Sequence, residues 1–153
     1  MKYLPEPIIQ AIPGTNQFRL HEGWQIDFKA NGKKYVLKVK EGAVTDGASI
    51  PKFVWSIPVI GGHPLEGLVL PGAFAHDMLY AAEHLDRAVC DDIFRDLMIR
   101  NKVNFMKRNT YYYAVRTCGG AVWRKHTNHS IEDCRKFCDL EESLPLNKTV
   151  LKG

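Results

Sequence analysis

The sequence predicts an α+β fold in which a small antiparallel β-hairpin sheet is followed by a three-helix core containing an antiparallel helix pair. Two patterns support it. Apolar residues alternate on both sides of Asn31-Gly32, and beyond residue 70 they recur at helical spacing. The 153 residues, 45% hydrophobic and 25% charged, have the composition of one globular domain. This composition excludes collagen-like, coiled-coil and wholly disordered chains, and no apolar run is long enough to cross a membrane.

The strand prediction rests on alternation within residues 24–30 and 35–40, where every second side chain is large and apolar. The Asn31-Gly32 pair between them favours positive φ at both central positions of a two-residue hairpin turn. We therefore expect an antiparallel hairpin, with residues 18–21 as a further strand.

Three helices are predicted after the hairpin. Pro71 suits a first helical position, and good helix formers continue over residues 73–83. A second helix is expected over residues 86–100 and a third over residues 105–118, ending at Gly119-Gly120. Because the connector between the first two helices is short, these helices should pack antiparallel.

The chain divides into three predicted segments. Residues 1–17, with three prolines, form an extended N-terminal arm. Residues 18–124 form a single α+β domain. Residues 125–153 form a basic C-terminal extension, with one or two helical turns near residues 131–140 and a tail that contact with another molecule would order.

Charge is distributed unevenly along the chain. Residues 1–99 carry 10 basic and 12 acidic side chains, whereas residues 100–153 carry 11 and 5. A basic surface can meet nucleic acid, anionic lipid or an acidic protein, and it can equally be a solvated face. Charge alone does not indicate a specific nucleic-acid partner. The first residues include one Lys and two Pro where an export signal would be apolar, so we expect no signal peptide.

Four cysteines follow the chain midpoint, and without an export signal we expect them to be reduced. Cys134 and Cys138 are four residues apart and are predicted to share a helix face. With His126 and His129 they have the right atoms for zinc, but the short separation of the two pairs argues against a zinc site.

The first candidate site lies on the first helix. His76 and Tyr80 share a helix face, and Asp77 adjoins Tyr80 at i+3. An imidazole beside a carboxylate suits a metal site with an adjacent base. The alternative is a hydrogen-bonded core pair without chemistry.

Asp91 on the second helix is the candidate partner of this group. It lies at the margin of the apolar stripe, whereas Asp92 should face outward. In an antiparallel helix pair Asp91 can accept the ring N–H of His76 and fix its tautomer. Asp91 can equally form a salt bridge with Arg87.

A second candidate site is Asp46, which precedes Gly47 in a loop. Gly47 permits positive φ, so backbone carbonyls can turn toward a cation beside the Asp46 carboxylate. Such oxygen-rich surroundings are what calcium prefers. A turn stabilised by the Asp side chain is the alternative that needs no metal.

Four blocks of the sequence together carry a resemblance. They are Asp46-Gly47-Ala48-Ser49, His76-Asp77-x-x-Tyr80, Asp91-Asp92-x-Phe94 with Asp96-Leu97, and Tyr112-x-Ala114-Val115-Arg116-x-x-Gly119. In this order they resemble the secreted bacterial and fungal branch of the phospholipase A2 superfamily, including its antiparallel helix pair. The resemblance implies His76 as general base on a water, Asp46 and Asp77 as calcium ligands, and Tyr80 and Asp91 as the residues that orient them. Where that branch has two cysteines this chain has Ala48 and Ala73, which fits a reducing compartment.

A longer signature is similar to a family of bacteriophage and prophage proteins of unknown function. It consists of a β-hairpin, V-T-D-G-A-S-I-P at residues 44–51, then H-D-x-L-Y, D-x-I-F and Y-x-A-V-R. This resemblance implies a phage origin and a gene near tail or lysis functions, and it implies no activity.

Two hypotheses follow. In the first, the protein is a virion component of the tail or baseplate whose calcium-dependent site hydrolyses envelope lipid esters, with anionic lipid as a partner and the exact substrate open. In the second, it is a structural or adaptor component of the particle, and the His/Asp cluster only holds the fold. Both expect synthesis in the host cytoplasm, then association with the virion and its other structural proteins.

Overall fold

The computed structural model describes residues 2–46, 54, 56 and 65–143. Within them the chain is α+β, with two three-stranded antiparallel sheets and four α-helices, as the sequence predicts. In chain order the elements are β1 (Ile9–Ala11), β2 (Phe18–Leu20), β3 (Trp24–Ala30), β4 (Lys33–Val39), β5 (Val44–Thr45), a 3-10 turn (Gly67–Val69), α1 (Leu70–Ala82), α2 (Arg87–Arg100), α3 (Phe105–Trp123), α4 (Asn128–Arg135) and β6 (Cys138–Glu142).

The predicted hairpin is confirmed. Strands β3 and β4 pair antiparallel with Ala30 opposite Lys33, and both turn residues have positive φ, 50° at Asn31 and 75° at Gly32. This is the turn that matches the twist of a hairpin. The alternating apolar side chains of both strands face the core.

The third strand of this sheet was not predicted. Strand β6 pairs with β4, whereas the sequence predicted one or two helical turns near residues 131–140. Helix α4 confirms these turns only as far as Arg135. Three of the five β6 side chains are acidic, so the strand lacks the usual alternation, and only Cys138 is buried. Cys134 and Cys138 therefore do not share a helix face, although both sulfurs lie 3.9 Å from the Met78 carbonyl oxygen.

The second sheet joins the N-terminal arm to the body, in the order β1-β2-β5. Its central strand β2 pairs Phe18 with Thr45 of β5. Because β5 immediately precedes Asp46, this sheet fixes where the candidate loop begins. The predicted boundaries of arm, domain and extension stay predictions.

Helices α1 and α2 pack antiparallel, as predicted. Gly72 near the start of α1 faces Phe94 and Leu97, whereas His76, further along α1, meets Asp91, earlier on α2. All but one residue of α1 are buried, so α1 is the central element of the core.

Helix α3 is longer than the sequence predicts. It continues through Gly119-Gly120 to Trp123, so the prediction that the glycine pair ends the helix is wrong. A Cβ atom at Gly119 would lie 2.5 Å from the Tyr80 hydroxyl oxygen. Gly119 is thus required for close helix contact and not for a left-handed helix end.

Candidate functional site

The centre of the candidate site is a contact between two completely buried side chains. His76 Nε2 on α1 lies 2.8 Å from Asp91 Oδ1 on α2, and neither side chain is exposed. The imidazole also packs against the rings of Tyr80 and Phe94, with centroids 4.2 and 4.9 Å away. The antiparallel helix pair therefore brings His76 and Asp91 together as the sequence predicts.

Asp91 collects further donors around its carboxylate. The Tyr80 hydroxyl donates to Oδ1 at 2.6 Å, and Arg116 Nη1 on α3 donates to Oδ2 at 3.0 Å. Arg87 Nη1 lies 3.5 Å from Oδ2, one helical turn before Asp91. Both alternatives that the sequence left open for Asp91 are thus present together, the imidazole contact and the Arg87 ion pair.

These contacts set the ionisation of the cluster. Burial alone would raise the pKa of Asp91, but the hydrogen bonds from His76, Tyr80 and Arg116 outweigh it and hold the pKa below its usual value. Burial, and then the Asp91 carboxylate, raise the pKa of Tyr80, so its hydroxyl stays a donor. Asp91 is therefore an anion at neutral pH and accepts every one of these hydrogen bonds.

The orientation of the two aspartates on α2 follows from helical geometry. Asp91 is fully buried, whereas Asp92, one residue later, is exposed and accepts a hydrogen bond from the Tyr112 hydroxyl at 2.8 Å. A rotation of about 100° per residue separates them. This confirms the sequence-based assignment of Asp91 to the inner face.

Asp77 and Asp46 line a different space. Asp77 Oδ2 accepts a hydrogen bond from the Thr45 hydroxyl at 2.9 Å, which ties α1 to β5. Asp46, Asp77, Tyr80 and His126 line one pocket of about 200 Å³. The sequence-predicted carboxylates are therefore brought to one pocket, and Tyr80 joins it to the buried cluster.

The oxygen atoms at this pocket are of the type that binds a hard cation. Two carboxylates and the Thr45 hydroxyl are oxygen ligands of the type calcium takes. Among residues 2–46, 54, 56 and 65–143, no three His, Cys, Asp or Glu side chains are placed to share a metal ion. A cation held by Asp46 and Asp77 would therefore need further oxygens, and the loop beginning at Gly47, whose carbonyls the sequence suggested, lies outside the described residues.

Sequence reasoning missed several residues of the site. Arg116 and Gly119 were noted only as motif letters, although one binds Asp91 and the other makes room for Tyr80. Thr45 was assigned no role. His126 was weighed only as a zinc ligand, and it lies at the pocket with Nδ1 2.8 Å from Glu83 Oε1. The absence of acidic residues on α3 was the one available signal that Arg116 pairs with another helix.

A second cavity, of about 550 Å³, is larger than the pocket at Asp46 and Asp77. It lies between the hairpin and the C-terminal end of α2, and none of the candidate site residues line it. Its lining includes Phe28, Tyr35, Leu97 and Arg100.

In the described part of the chain no helix is both long and apolar enough to span a membrane.

Fold and site together define an α+β protein built around a buried His–Asp–Tyr cluster. A family model described as "Protein of unknown function (DUF1353)" matches residues 18–115, which is more than half of the chain. The chain therefore belongs to the DUF1353 family. The match includes the hairpin, His76, Asp91 and Val115, and it stops just before Arg116. No curated protein and no solved structure matches the chain.

Proposed function

We propose that this chain hydrolyses acyl esters, with His76 accepting a proton from the attacking water and Asp91 holding the imidazole in place. The observation that carries the proposal is the 2.8 Å contact between His76 Nε2 and Asp91 Oδ1. Because Asp91 is an anion, Nε2 carries the proton of this hydrogen bond, and the contact fixes the ring orientation and the tautomer in which Nδ1 is the basic nitrogen. Hydrolysis by general-base catalysis requires a base oriented in this way.

The pocket beside the cluster supports the choice of reaction. Asp77 and Asp46 line the same pocket, and Asp77 follows His76 directly on α1, so a cation held by these carboxylates would lie one residue along the helix from the base, although His76 itself does not line the pocket. Calcium, when bound, supplies positive charge for a carbonyl oxygen that becomes negative during water attack. The pocket of about 200 Å³ is large enough for an ester group.

The substrate class follows from the resemblance of the sequence to phospholipases A2. Phospholipid of a bacterial envelope is the proposed substrate, hydrolysed during entry or lysis by a phage particle that carries the protein. The phage origin and the place in a tail or baseplate rest on the sequence signature alone and stay predictions.

Fatty-acid release from phosphatidylglycerol vesicles tests the activity. With calcium present, the unaltered protein should release fatty acid, and His76→Asn should reduce the rate by at least about a hundredfold, the usual contribution of a general base. His21→Asn is the matched control, because His21 is exposed and distant in sequence from the cluster. Equal rates for His76→Asn and the unaltered protein would exclude the proposed role.

A second function is favoured by the complete burial of His76. Asp91 is engaged by side chains from three helices, and such a network fastens α1, α2 and α3 together. In this case the protein is a structural or adaptor component without catalysis. Purified protein would then release no fatty acid, and His76→Asn would lower the melting temperature while His21→Asn would not.

A further inference from the structure

The end of the molecule at the α2–α3 turn exposes a group of apolar side chains drawn from three segments. Five large apolar residues that the structure leaves exposed belong to this end. They are Tyr3, Leu68, Ile99, Phe105 and Met106. Phe105 and Met106 are adjacent in the first turn of α3, and each is more than 60% exposed, at 66% and 63%.

Asn101 explains why these segments meet. Its side chain is buried, its Oδ1 accepts a hydrogen bond from the Leu4 amide at 2.8 Å, and its Nδ2 donates to the Leu68 carbonyl at 2.7 Å. The arm, the 3-10 turn and the α2–α3 turn are therefore held together at one residue. Tyr3 and Ile99 also line the same surface pocket. We name this end of the molecule, with the exposed apolar side chains of these segments, the α2–α3 tip.

Basic side chains surround the tip. Lys2 and Lys102 line the pocket that contains Tyr3, and Lys107 and Arg108 follow Met106 on α3. The Arg108 guanidinium lies over the Phe105 ring, 5.3 Å from its centroid. Between Leu97 and Thr110 the sequence has four Lys and Arg and no Asp or Glu. The N-terminal end of α3 adds the partial positive charge of the helix dipole.

Acidic side chains at the tip are few. Asp27 lines the Tyr3 pocket and is paired with Arg100, and Glu66 lies just before the 3-10 turn. The described residues of the tip therefore leave an excess of positive charge around exposed apolar groups.

We propose that the α2–α3 tip docks on an anionic lipid surface, with Phe105 and Met106 entering the interface and the basic side chains meeting lipid headgroups. Large apolar side chains ringed by Lys and Arg are what interfacial binding to anionic membranes uses. A second copy of the chain is disfavoured, because a symmetric contact would place the same positive charges against each other. A nucleic acid would match the charge, but it offers no burial for Met106.

Co-sedimentation with vesicles tests the proposal. Vesicles of ether-linked phosphatidylglycerol and phosphatidylcholine are used beside vesicles of ether-linked phosphatidylcholine alone. Ether lipids have no ester to cleave, so the result does not depend on the hydrolase proposal. The protein should sediment with the anionic vesicles, and added salt should weaken the binding. The Phe105→Ser/Met106→Ser double variant should bind at least about tenfold less, since burial of a large apolar side chain contributes that much or more.

Two matched pairs of variants test whether the α2–α3 tip is the part of the protein that binds the vesicles. Tyr113→Ser removes another exposed aromatic side chain of α3, about 12 Å further along the helix, and should bind as the unaltered protein does. Lys107→Glu should weaken binding by about fivefold or more for the charge lost near the membrane, whereas Lys125→Glu, beyond the far end of α3, should not.

Several results would overturn the proposal. They are no binding to anionic vesicles at low salt, unchanged binding of the double variant, and equal losses for the members of a matched pair. A dimer that the Phe105→Ser/Met106→Ser variant disperses would assign the tip to a second copy, and tip-dependent binding of RNA without vesicle binding would assign it to nucleic acid. Circular dichroism confirms that each variant is folded, which is expected because the altered side chains are exposed or, at Lys107, half-buried.

Discussion

Gly119 on α3 lies directly against the Tyr80 hydroxyl. A Cβ atom at residue 119 would be 2.5 Å from the hydroxyl oxygen, so any side chain there would displace the tyrosine. Tyr80 is fixed by its hydrogen bond to Asp91 and by an edge contact with Trp123, whose ring centroid is 5.2 Å away. The glycine on α3 therefore determines whether the tyrosine on α1 can reach the carboxylate on α2.

Gly119→Ala should consequently destabilise the protein. Overpacking of a filled core costs about 1–3 kcal/mol, which exceeds the gain of roughly 1 kcal/mol that alanine brings to a helix interior. Gly120→Ala is the control, because its Cβ would meet the flexible end of Arg124 at 3.2 Å. Urea unfolding measures both variants. Equal stability of the two would show that the contact at Gly119 relaxes without cost.

The ionisation of Asp91 predicts a dependence of stability on pH. Its folded pKa lies below the unfolded value, so its contribution is complete above the unfolded pKa of about 3.9 and is lost as the pH falls through the folded pKa. Near neutral pH Asp91→Asn should lower the free energy of unfolding by about 3 kcal/mol, the usual cost of breaking a buried ion pair.

Urea unfolding at a series of pH values measures the difference in free energy of unfolding between the unaltered protein and Asp91→Asn. This difference should be constant from about pH 5 to pH 7 and shrink below about pH 4. Asp92→Asn at the exposed neighbour should cost no more than about 1 kcal/mol at any pH. A difference between the unaltered protein and Asp91→Asn that grows in acid would mean that Asp91 is not the stabilising anion.

Calcium should raise the melting temperature if Asp46 and Asp77 hold it. A ligand that binds only the folded state stabilises it, by about 2.7 kcal/mol at one hundred times its Kd. Asp77→Asn should lose the calcium-induced shift, each protein being compared with its own calcium-free sample. Asp139→Asn, at an exposed carboxylate on β6, should keep it. A shift that persists in Asp77→Asn would place the cation elsewhere.

The four thiols should differ in reactivity. A hydrogen bond from Cys138 lowers the pKa of Cys134, and the same bond together with burial raises the pKa of Cys138. Burial raises the pKa of Cys90 to about 12. At about pH 8, where thiolates react, iodoacetamide should modify Cys134 before Cys138 or Cys90.

Mass spectrometry of the peptides follows the order of modification. The same reagent in denaturant should reach all the cysteines at similar rates, because the differences arise in the fold. Modification of Cys138 first would contradict the assigned direction of the hydrogen bond between the two sulfurs.

The sequence predicts those parts of the fold that depend on local signals. The Asn31-Gly32 turn defines the hairpin, and the helical stripe distinguishes Asp91 from Asp92. Strand β6 was missed because its stability comes from pairing with β4, including ion pairs such as Lys38 with Glu141, and not from its own apolar pattern. The extension of α3 was missed because the sequence alone does not distinguish a glycine that permits close helix contact from a glycine that ends a helix.

The contacts of the candidate site were predictable where the residues lie on one helix, and less predictable where they depend on how different helices pack. His76 and Tyr80 are related by a helical turn, and the short connector indicated that Asp91 would face them. Arg116 could not be assigned, because its approach to Asp91 depends on how α3 crosses the pair. The sequence leaves open whether Phe53, Trp55, Ile57, Val59 and Ile60 form a lipid-contacting rim or pack in the core, and all five lie outside the described residues.

Hydrolysis in water enriched in oxygen-18 tests the central claim most directly. If His76 activates a water for attack on an ester carbonyl, the fatty acid released from phosphatidylglycerol vesicles carries the label in its carboxylate, and His76→Asn releases almost none while His21→Asn releases it normally. No labelled fatty acid from the unaltered protein with calcium present, or the same amount from His76→Asn, would contradict a hydrolase centred on the His76–Asp91 pair.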